Sequence, residues 1–219
     1  MRSKNSIQAL VESAILIAMT VALSMVVLFK MPMGGSVTLF AMVPLIIISL
    51  RWGVGWGVGA GLTYGIINMI MGLQNFSYVT GIWALLGVAL LDYIIAFGSY
   101  GLAVLFANPF IKQRKLKHAA GQYDGKTFSF DIYSVPNKPL GYGIAAFAGG
   151  TLQFLCSFAS GIIIWGGWAP EGTPVWIYSL TYNGSFALPN VILTIIGTVA
   201  AMALLDKVFP VRREKPWEY

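Results

Sequence analysis

Charged residues are so widely spaced in this 219-residue chain that the intervals between them decide its fold class. Glu12 and Lys30 enclose 17 uncharged residues, and Arg51 and Asp92 enclose 40. Because a membrane-spanning helix needs about 20 mostly apolar residues, such intervals predict one or two spans each. With 10% charged against 57% hydrophobic residues, the chain cannot cover a folded surface with polar groups in water. An ordinary soluble enzyme, a secreted disulfide scaffold and a disordered chain are therefore excluded.

The intervals predict six transmembrane helices in one all-α integral membrane domain that covers residues 1–219. We place the helices at about 7–30, 37–50, 53–72, 84–108, 140–166 and 177–206, with a polar loop at about 109–139 after the fourth. Within this loop, Phe128-Ser129-Phe130-Asp131 favours a short hairpin, and the basic run that opens the loop favours contact with anionic lipid head groups.

The positions of the cations orient these helices. If the N-terminus is cytoplasmic, 13 of the 14 Lys and Arg residues lie on the cytoplasmic side, and only Lys30 lies outside. The positive-inside rule therefore places both termini in the cytoplasm. The pI of about 9.5 reports this topology, so we predict no nucleic-acid partner and a lipid bilayer as the surroundings.

Catalytic and metal-binding motifs are missing from the sequence. It contains no phosphate loop, no metal-binding pair of histidines and no nucleophile elbow. The single cysteine, Cys156, excludes a zinc cluster built from cysteines. We therefore predict no catalytic residue, no metal site, no cofactor and no ATPase activity of its own.

One acid lies deep inside a predicted helix. Asp92 falls about eight residues, or ~12 Å, below the external end of the fourth helix, and no Lys or Arg lies at that depth in any helix. Ionisable groups at such depths usually carry function. An acid without a basic partner is most simply satisfied by a cationic ligand.

Aromatic and polar residues surround the predicted external ends of the last two helices. Trp165 lies at the end of the fifth helix, Tyr178 and Asn183 open the sixth, and Gln153 and Ser157 lie one turn apart at the depth of the buried acid. A membrane-interface belt also explains Trp and Tyr here. Because aromatic faces attract organic cations, these residues and the acid together predict a pocket for a small, flat, positively charged molecule.

Small residues recur every four positions on two predicted helices. They are Ala14, Ala18 and Ala22 on the first helix, and Gly53, Gly57, Gly61 and Gly65 on the third. This spacing lets another helix approach closely in lipid. The glycines indicate packing within the protein, whereas the alanines fit both internal packing and docking of a second membrane subunit.

Three stretches together resemble the thiamine-specific substrate-binding component (S component) of energy-coupling factor (ECF) transporters. They are Lys30-Met31-Pro32-Met33-Gly34-Gly35-Ser36-Val37-Thr38-Leu39, Leu91-Asp92-Tyr93, and the segment from Ala169-Pro170-Glu171-Gly172 to Tyr182-Asn183-Gly184-Ser185. The resemblance covers nearly the whole chain and implies the six-helix S-component fold in the cell membrane of a prokaryote. It also implies thiamine as ligand, and a transmembrane coupling subunit with two cytosolic ATPases as partners.

The resemblance gives single residues roles in the ligand site. Asp92 and Tyr93 match an acid and an aromatic residue at the thiamine site, and Trp165 matches the tryptophan that stacks on the ligand. Tyr178 and Asn183 match polar contacts to the pyrimidine ring.

The resemblance also assigns a lid and a partner-docking motif, and it reveals one departure from the family pattern. The Gly34-Gly35 loop corresponds to an external lid, and Ala14 and Ala18 match the motif that docks the coupling subunit. Ser157 stands where the family usually has a histidine, which removes a flat, titratable contact beside the thiazolium. We expect thiamine as the ligand, with a B6 vitamer or a thiamine precursor as the alternative.

Three other function classes are weighed against this one. A stand-alone vitamin facilitator is disfavoured because no inverted repeat or second buried acid is visible. An intramembrane enzyme is disfavoured because no set of nucleophile, base and metal ligands is present, and a purely structural protein because the deep acid has no basic partner. The predicted function is a vitamin-binding S component whose transport is driven by ATP hydrolysed on partner proteins.

Overall fold

The computed structural model describes residues 2–31, 34–111, 115–123, 126–133 and 137–208. Its α-helices are α1 (Arg2–Ser24), α2 (Val43–Trp52), α3 (Val54–Met71), α4 (Ile82–Gly87), α5 (Ile95–Gly98), α6 (Ala103–Ile111), α7 (Lys138–Ile163) and α8 (Val175–Val208). Its strands are β1 (Val27–Lys30), β2 (Ser36–Thr38), β3 (Lys115–Tyr123) and β4 (Lys126–Tyr133). Shorter helical turns cover Leu73–Tyr78, Val88–Ile94, Ser99–Leu102 and Trp165–Trp168.

Five helical segments of the described chain are long and apolar enough to cross a membrane. They are Ser6–Ser24, Val54–Met71, Ile82–Ile111, Lys138–Ile163 and Val175–Val208. A sixth helix, α2, has only 10 residues, and all of its residues up to Arg51 are buried, so it forms the centre of the bundle. The helical membrane fold predicted from the spacing of charges is confirmed, with two short β-hairpins added to it in the described chain.

The first two helices are shorter than the sequence predicted. The first ends at Ser24 rather than at residue 30, and the second begins at Val43 rather than at residue 37. The residues between them form an antiparallel pair, the β1–β2 hairpin, in which Lys30 lies opposite Ser36. Val and Phe favour extended backbone, and a short apolar run has no periodicity that separates a strand from a buried helix.

The fourth span, Ile82–Ile111, is not a regular α-helix. Its α4 segment passes at Val88–Ile94 into a π-helical turn, which precedes α5. Such turns are rare and frequently occur at functional sites, because they locally change the direction in which side chains leave the helix. Asp92 lies inside this turn.

The glycine stripe of α3 packs against the fourth span. A Cβ atom on Gly65 would lie 2.7 Å from the carbonyl oxygen of Tyr93, and Gly57 and Gly61 face the same span equally closely. Gly53 differs, because it lies in the turn between α2 and α3 with a φ of 87° and nothing within 4 Å of a Cβ. Three of the four glycines therefore serve internal packing, and the fourth serves a turn.

Within the described chain, two ion pairs connect neighbouring helices at the predicted cytoplasmic end of the bundle. Arg51 of α2 pairs with Glu12 of α1, which ties the weakly buried first helix to the core. Lys138 Nζ lies 3.0 Å from Asp206 Oδ2, and the Tyr142 hydroxyl donates to the same oxygen at 2.6 Å. This second cluster joins the N-terminal end of α7 to the C-terminal end of α8.

A hairpin occupies the predicted polar loop after the fourth span. Strands β3 and β4 pair antiparallel, with Gly121 opposite Phe128. Contact between this loop and lipid head groups stays a prediction. The cations of the predicted cytoplasmic tail, Arg212, Arg213 and Lys215, lie outside the described residues.

Candidate ligand-binding cavity

A cavity of about 330 Å³ lies between α3, the fourth span, α7, α8 and the β1–β2 hairpin. This volume is within the range of small-molecule sites, about 300–1,000 Å³. Among the described lining residues, Asp92 contributes the only carboxylate and Lys30 the only ammonium group. Every residue that the sequence assigned to the ligand or the lid lines the cavity: Gly34, Gly35, Asp92, Tyr93, Gln153, Ser157, Trp165, Tyr178 and Asn183.

The Asp92 carboxylate is oriented by a tryptophan. Trp165, in the short helical turn after α7, donates its indole N–H to Asp92 Oδ2 at 3.0 Å. No cation of the described chain forms an ion pair with this carboxylate. The indole is neutral, so its hydrogen bond fixes the position of the carboxylate without neutralising the charge, and a cation in the cavity would meet a directed acceptor.

Tyr93 is held firmly beside the acid. Its hydroxyl accepts a hydrogen bond from Asn75 Nδ2 at 3.0 Å and lies 3.4 Å from the carbonyl oxygen of Gly72. Its ring stacks on Phe76 with 6.0 Å between centroids and 11° between planes. The buried ring thus forms a fixed wall of the cavity.

One face of α8 supplies a column of side chains to the cavity. Tyr178, Tyr182, Phe186 and Asn190 recur every four residues, and all four line the cavity. The rings of Tyr178 and Tyr182 lie 5.9 Å apart, and those of Tyr182 and Phe186 lie 6.1 Å apart in an edge-to-face arrangement. The column therefore extends along the cavity from Tyr178, a predicted ligand residue, to Asn190 beside the β1–β2 hairpin.

Asn183 is buried on the same helix and is positioned by Ser179. Its Nδ2 donates to the Ser179 carbonyl at 3.0 Å and to the Ser179 hydroxyl at 3.2 Å. The two amide hydrogens are engaged in this way, so what Asn183 can offer a ligand is the acceptor Oδ1. Gly161 of α7 makes this packing possible, because a Cβ there would lie 2.9 Å from Asn183 Nδ2 and closer still to Ser179 Oγ.

Ser157, at the position where the family usually has a histidine, is paired with Gln153. Ser157 is buried on α7, and its hydroxyl accepts a hydrogen bond from Gln153 Nε2 at 3.0 Å. Both residues line the cavity, one helical turn apart. They offer a ligand neutral hydrogen-bonding groups rather than a titratable ring.

The glycines that end the turn of the β1–β2 hairpin lie against two cavity walls. Gly34 has a φ of 116°, a conformation that other residues rarely adopt, and a Cβ there would lie 2.7 Å from Asn75 Nδ2. A Cβ on Gly35 would lie 2.6 Å from the Phe186 ring. Gly34 and Gly35 therefore lie directly on the helical turn at Leu73–Tyr78 and on α8, where they cover part of the cavity.

Sequence reasoning missed several polar and aromatic residues of the cavity. Asn75, Tyr182, Phe186 and Asn190 were not assigned to it, although the regular spacing on α8 was a visible signal. Asn75 carried no such signal, because its place beside Tyr93 depends on how the turn after α3 folds. The structure brings the predicted residues together, and their contact with a ligand stays a prediction.

A separate groove runs along the outside of α1 and α3. It has a volume of about 770 Å³ and is lined by Ala14 and Ala18 but not by Ala22, although all three alanines are exposed. Gly55 and Gly59 form the facing wall, where a Cβ would meet nothing within 4 Å. The alanine stripe is therefore not used for packing within the described part of this protein.

The chain is similar to known transport proteins. A family model described as "Thiamine transporter protein" (Thia_YuaJ) matches residues 10–209. The chain is 36% identical over 198 residues to the thiamine transporter ThiT of Bacillus subtilis, covering 90% of this chain and 91% of that protein. It is 26% identical over 172 residues to ThiT of Lacticaseibacillus paracasei, covering 78% and 75%. A solved structure of ThiT from Listeria monocytogenes matches with a TM-score of 0.64 at 20% identity, covering 94% of this chain and 97% of that one, which shows a shared fold.

Proposed function

We propose, from the premise that this chain belongs to the thiamine transporter protein family, that it binds thiamine from the external side in the cavity around Asp92. The chain is a multi-pass membrane protein of a prokaryote, and it is a transport protein rather than an enzyme. The observation that carries the proposal is the Asp92 carboxylate, which is oriented by Trp165 and has no cationic partner among the described residues.

The chemistry of thiamine suits this cavity. Its thiazolium ring carries a permanent positive charge, which pairs with the Asp92 carboxylate, and aromatic rings around a desolvated cation add about 2 kcal/mol. Its aminopyrimidine ring can donate hydrogen bonds to the acceptor Oδ1 of Asn183 and to the hydroxyl of Tyr178. The Trp165 ring stacks on the ligand while its N–H keeps the carboxylate in place.

Transport requires partners in this proposal, because the chain has no nucleotide-binding motif. The groove between α1 and α3 is the surface on which an ECF transmembrane coupling subunit docks, and two cytosolic ATPases supply the energy. Small residues on both walls let a partner helix approach closely in lipid, where apolar burial alone gives little driving force. The β1–β2 hairpin acts as the external lid over the bound vitamin.

Tryptophan fluorescence of the detergent-purified protein tests thiamine binding directly. The protein has seven tryptophans, and a ligand against Trp165 is expected to quench them saturably at nanomolar thiamine. Trp165→Ala and Asp92→Ala are expected to lose this response. The proposal would be contradicted if the fluorescence of the wild-type protein did not change below about 100 µM thiamine. A Kd of that size corresponds to a binding free energy of only about −5.5 kcal/mol. A response to pyridoxine instead would identify a B6 vitamer as the ligand.

Replacing Gly161 by alanine is expected to weaken thiamine binding about tenfold to hundredfold. The new Cβ would collide with Ser179 Oγ and Asn183 Nδ2 and push the Asn183 amide out of place. Overpacking of this kind costs about 1–3 kcal/mol. Isothermal titration calorimetry would measure the change in Kd.

The matched control for this variant is Gly143→Ala on the same helix. A Cβ at Gly143 would meet only Val199 Cγ2, at 3.8 Å, and Ile195 Cγ2, at 3.9 Å, which is ordinary contact. This substitution should leave the Kd unchanged and slightly stabilise α7, because alanine has the higher helix propensity. Equal Kd values for both variants would show that the Asn183 amide does not contact the ligand.

A further inference from the structure

Strand β2 has two edges with different partners. On the inner edge, the carbonyl of Gly35 and the N–H of Leu39 bond to the β1 side of the hairpin, at 2.7 and 3.1 Å. Backbone groups of alternate residues point to opposite edges of a strand. Those of Ser36 and Thr38 therefore point away from β1, to an edge that has no neighbouring strand in the described chain.

A single side chain completes this outer edge. The Thr38 N–H donates to Asn190 Oδ1 at 3.0 Å, and Asn190 Nδ2 donates to the Ser36 carbonyl at 2.8 Å. The amide group of Asn190 thus pairs with β2 as the backbone of a third strand would. It joins the hairpin to α8 across more than 150 positions of sequence.

The bonds to Asn190 matter because of their place in the membrane domain. Asn190 lies 15 residues after Val175, or about 22 Å along α8, far from the end of the helix. Backbone N–H and C=O groups without water cost several kcal/mol unless the protein pairs them. Removing the amide would leave both β2 groups without a protein partner in the described chain, so that they would have to pair with water and α8 would hold the hairpin less firmly.

We propose that Asn190 is the positioning residue that holds the β1–β2 hairpin over the cavity and thereby sets how fast the ligand enters and leaves. Phe186, one turn earlier on the same helix face, supports the adjoining Gly35 by packing. The second half of this inference rests on the proposed thiamine binding, whereas the first half concerns the hairpin alone.

Hydrogen–deuterium exchange of the ligand-free protein tests the first half. In Asn190→Leu, which keeps the size of the side chain but cannot hydrogen-bond, amides in the peptide containing Ser36 and Thr38 should exchange about tenfold to hundredfold faster. Asn190→Ala repeats the test if the leucine variant is not recovered folded. The experiment needs no thiamine, so its result is independent of the proposed function.

The matched control removes a hydrogen bond from the same helix without touching the hairpin. Thr194 is buried one turn after Asn190, and its hydroxyl donates only to the Asn190 carbonyl, at 2.7 Å. Thr194→Val should leave exchange in the hairpin at the wild-type rate. Unchanged hairpin exchange in both Asn190 variants would overturn the proposal, and so would faster exchange spread equally through α3 and α7.

Stopped-flow fluorescence with thiamine tests the second half. A loosened cover should raise both the association and the dissociation rate constant, the latter by about tenfold or more, whereas loss of a direct ligand contact would raise only the dissociation rate constant. An association rate constant unchanged in both Asn190 variants would overturn the role in ligand entry. Absence of thiamine binding in the wild type would refute the proposed function and leave the exchange result standing.

Discussion

Asp92→Asn is expected to weaken thiamine binding by about two to four orders of magnitude. The substitution keeps the shape of the side chain and removes its charge, so the thiazolium would enter the membrane domain without a counter-ion. Breaking a buried ion pair by removing one partner costs about 3–5 kcal/mol. Because no cation of the described chain pairs with Asp92, the charge of the ligand is the only one this substitution leaves uncompensated.

Calorimetry is the appropriate measurement for this variant. The Trp165 indole N–H donates to the Asp92 carboxylate, so the substitution alters tryptophan fluorescence even without ligand. Asp206→Asn is the matched control, since Asp206 bonds to Lys138 and Tyr142 at the opposite end of the bundle. That variant should bind thiamine like the wild type. A Kd for Asp92→Asn within about threefold of wild type would refute the ion pair.

A neutral analogue separates charge from shape. A thiamine analogue whose thiazolium is replaced by an uncharged thiophene should bind the wild type about as weakly as thiamine binds Asp92→Asn. The affinity of the neutral analogue should fall little further when Asp92 is replaced by Asn. If the analogue and thiamine lose affinity equally on substitution, Asp92 acts on the pyrimidine or on the fold rather than on the cation.

The spacing of charges predicted the membrane class and the positions of the helices because lipid excludes ions strongly. The glycine stripe of α3 was predictable for a similar reason, since backbones approach closely only where side chains are absent. The β1–β2 hairpin was not predictable from the same rules. Val27 and its apolar neighbours satisfy a membrane helix as well as a strand, and the Asn190 amide that pairs with β2 lies 152 positions away from Thr38, where no local pattern reaches.

The candidate site was predictable in its residue types but not in its geometry. Asp92 stood out because an acid in an apolar run is costly. Trp165 stood out because it lies at the predicted external end of the fifth helix and matches the stacking tryptophan of the family. The carboxylate that the indole N–H bonds lies in the π-helical turn at Val88–Ile94, and no local sequence signal indicated that turn. Ser157, which stands where the family usually has a histidine, is bonded by Gln153, and this contact between two side chains could not be read from the sequence.

Enlarging the small residues of the groove is expected to abolish transport while leaving binding intact. Ala14→Leu and Ala18→Leu add bulk where the proposed coupling helix must approach α1, so uptake of labelled thiamine by cells should fall at least about tenfold. Both alanines are exposed to lipid, where a larger apolar side chain is tolerated, so folding and the Kd for thiamine should not change. Gly59→Leu should have the same effect from the facing wall.

The control for this prediction is Ala200→Leu, which makes the same change at an exposed alanine of α8 that does not line the groove. Uptake in this variant should equal that of the wild type. Loss of uptake in Ala14→Leu together with unchanged calorimetric binding would separate a docking defect from a ligand defect, because the groove and the cavity share no described lining residue. Full uptake in the Ala14, Ala18 and Gly59 variants would mean that the coupling subunit docks elsewhere. Uptake by vesicles that contain only this chain, without ATP, would mean that no such subunit is required.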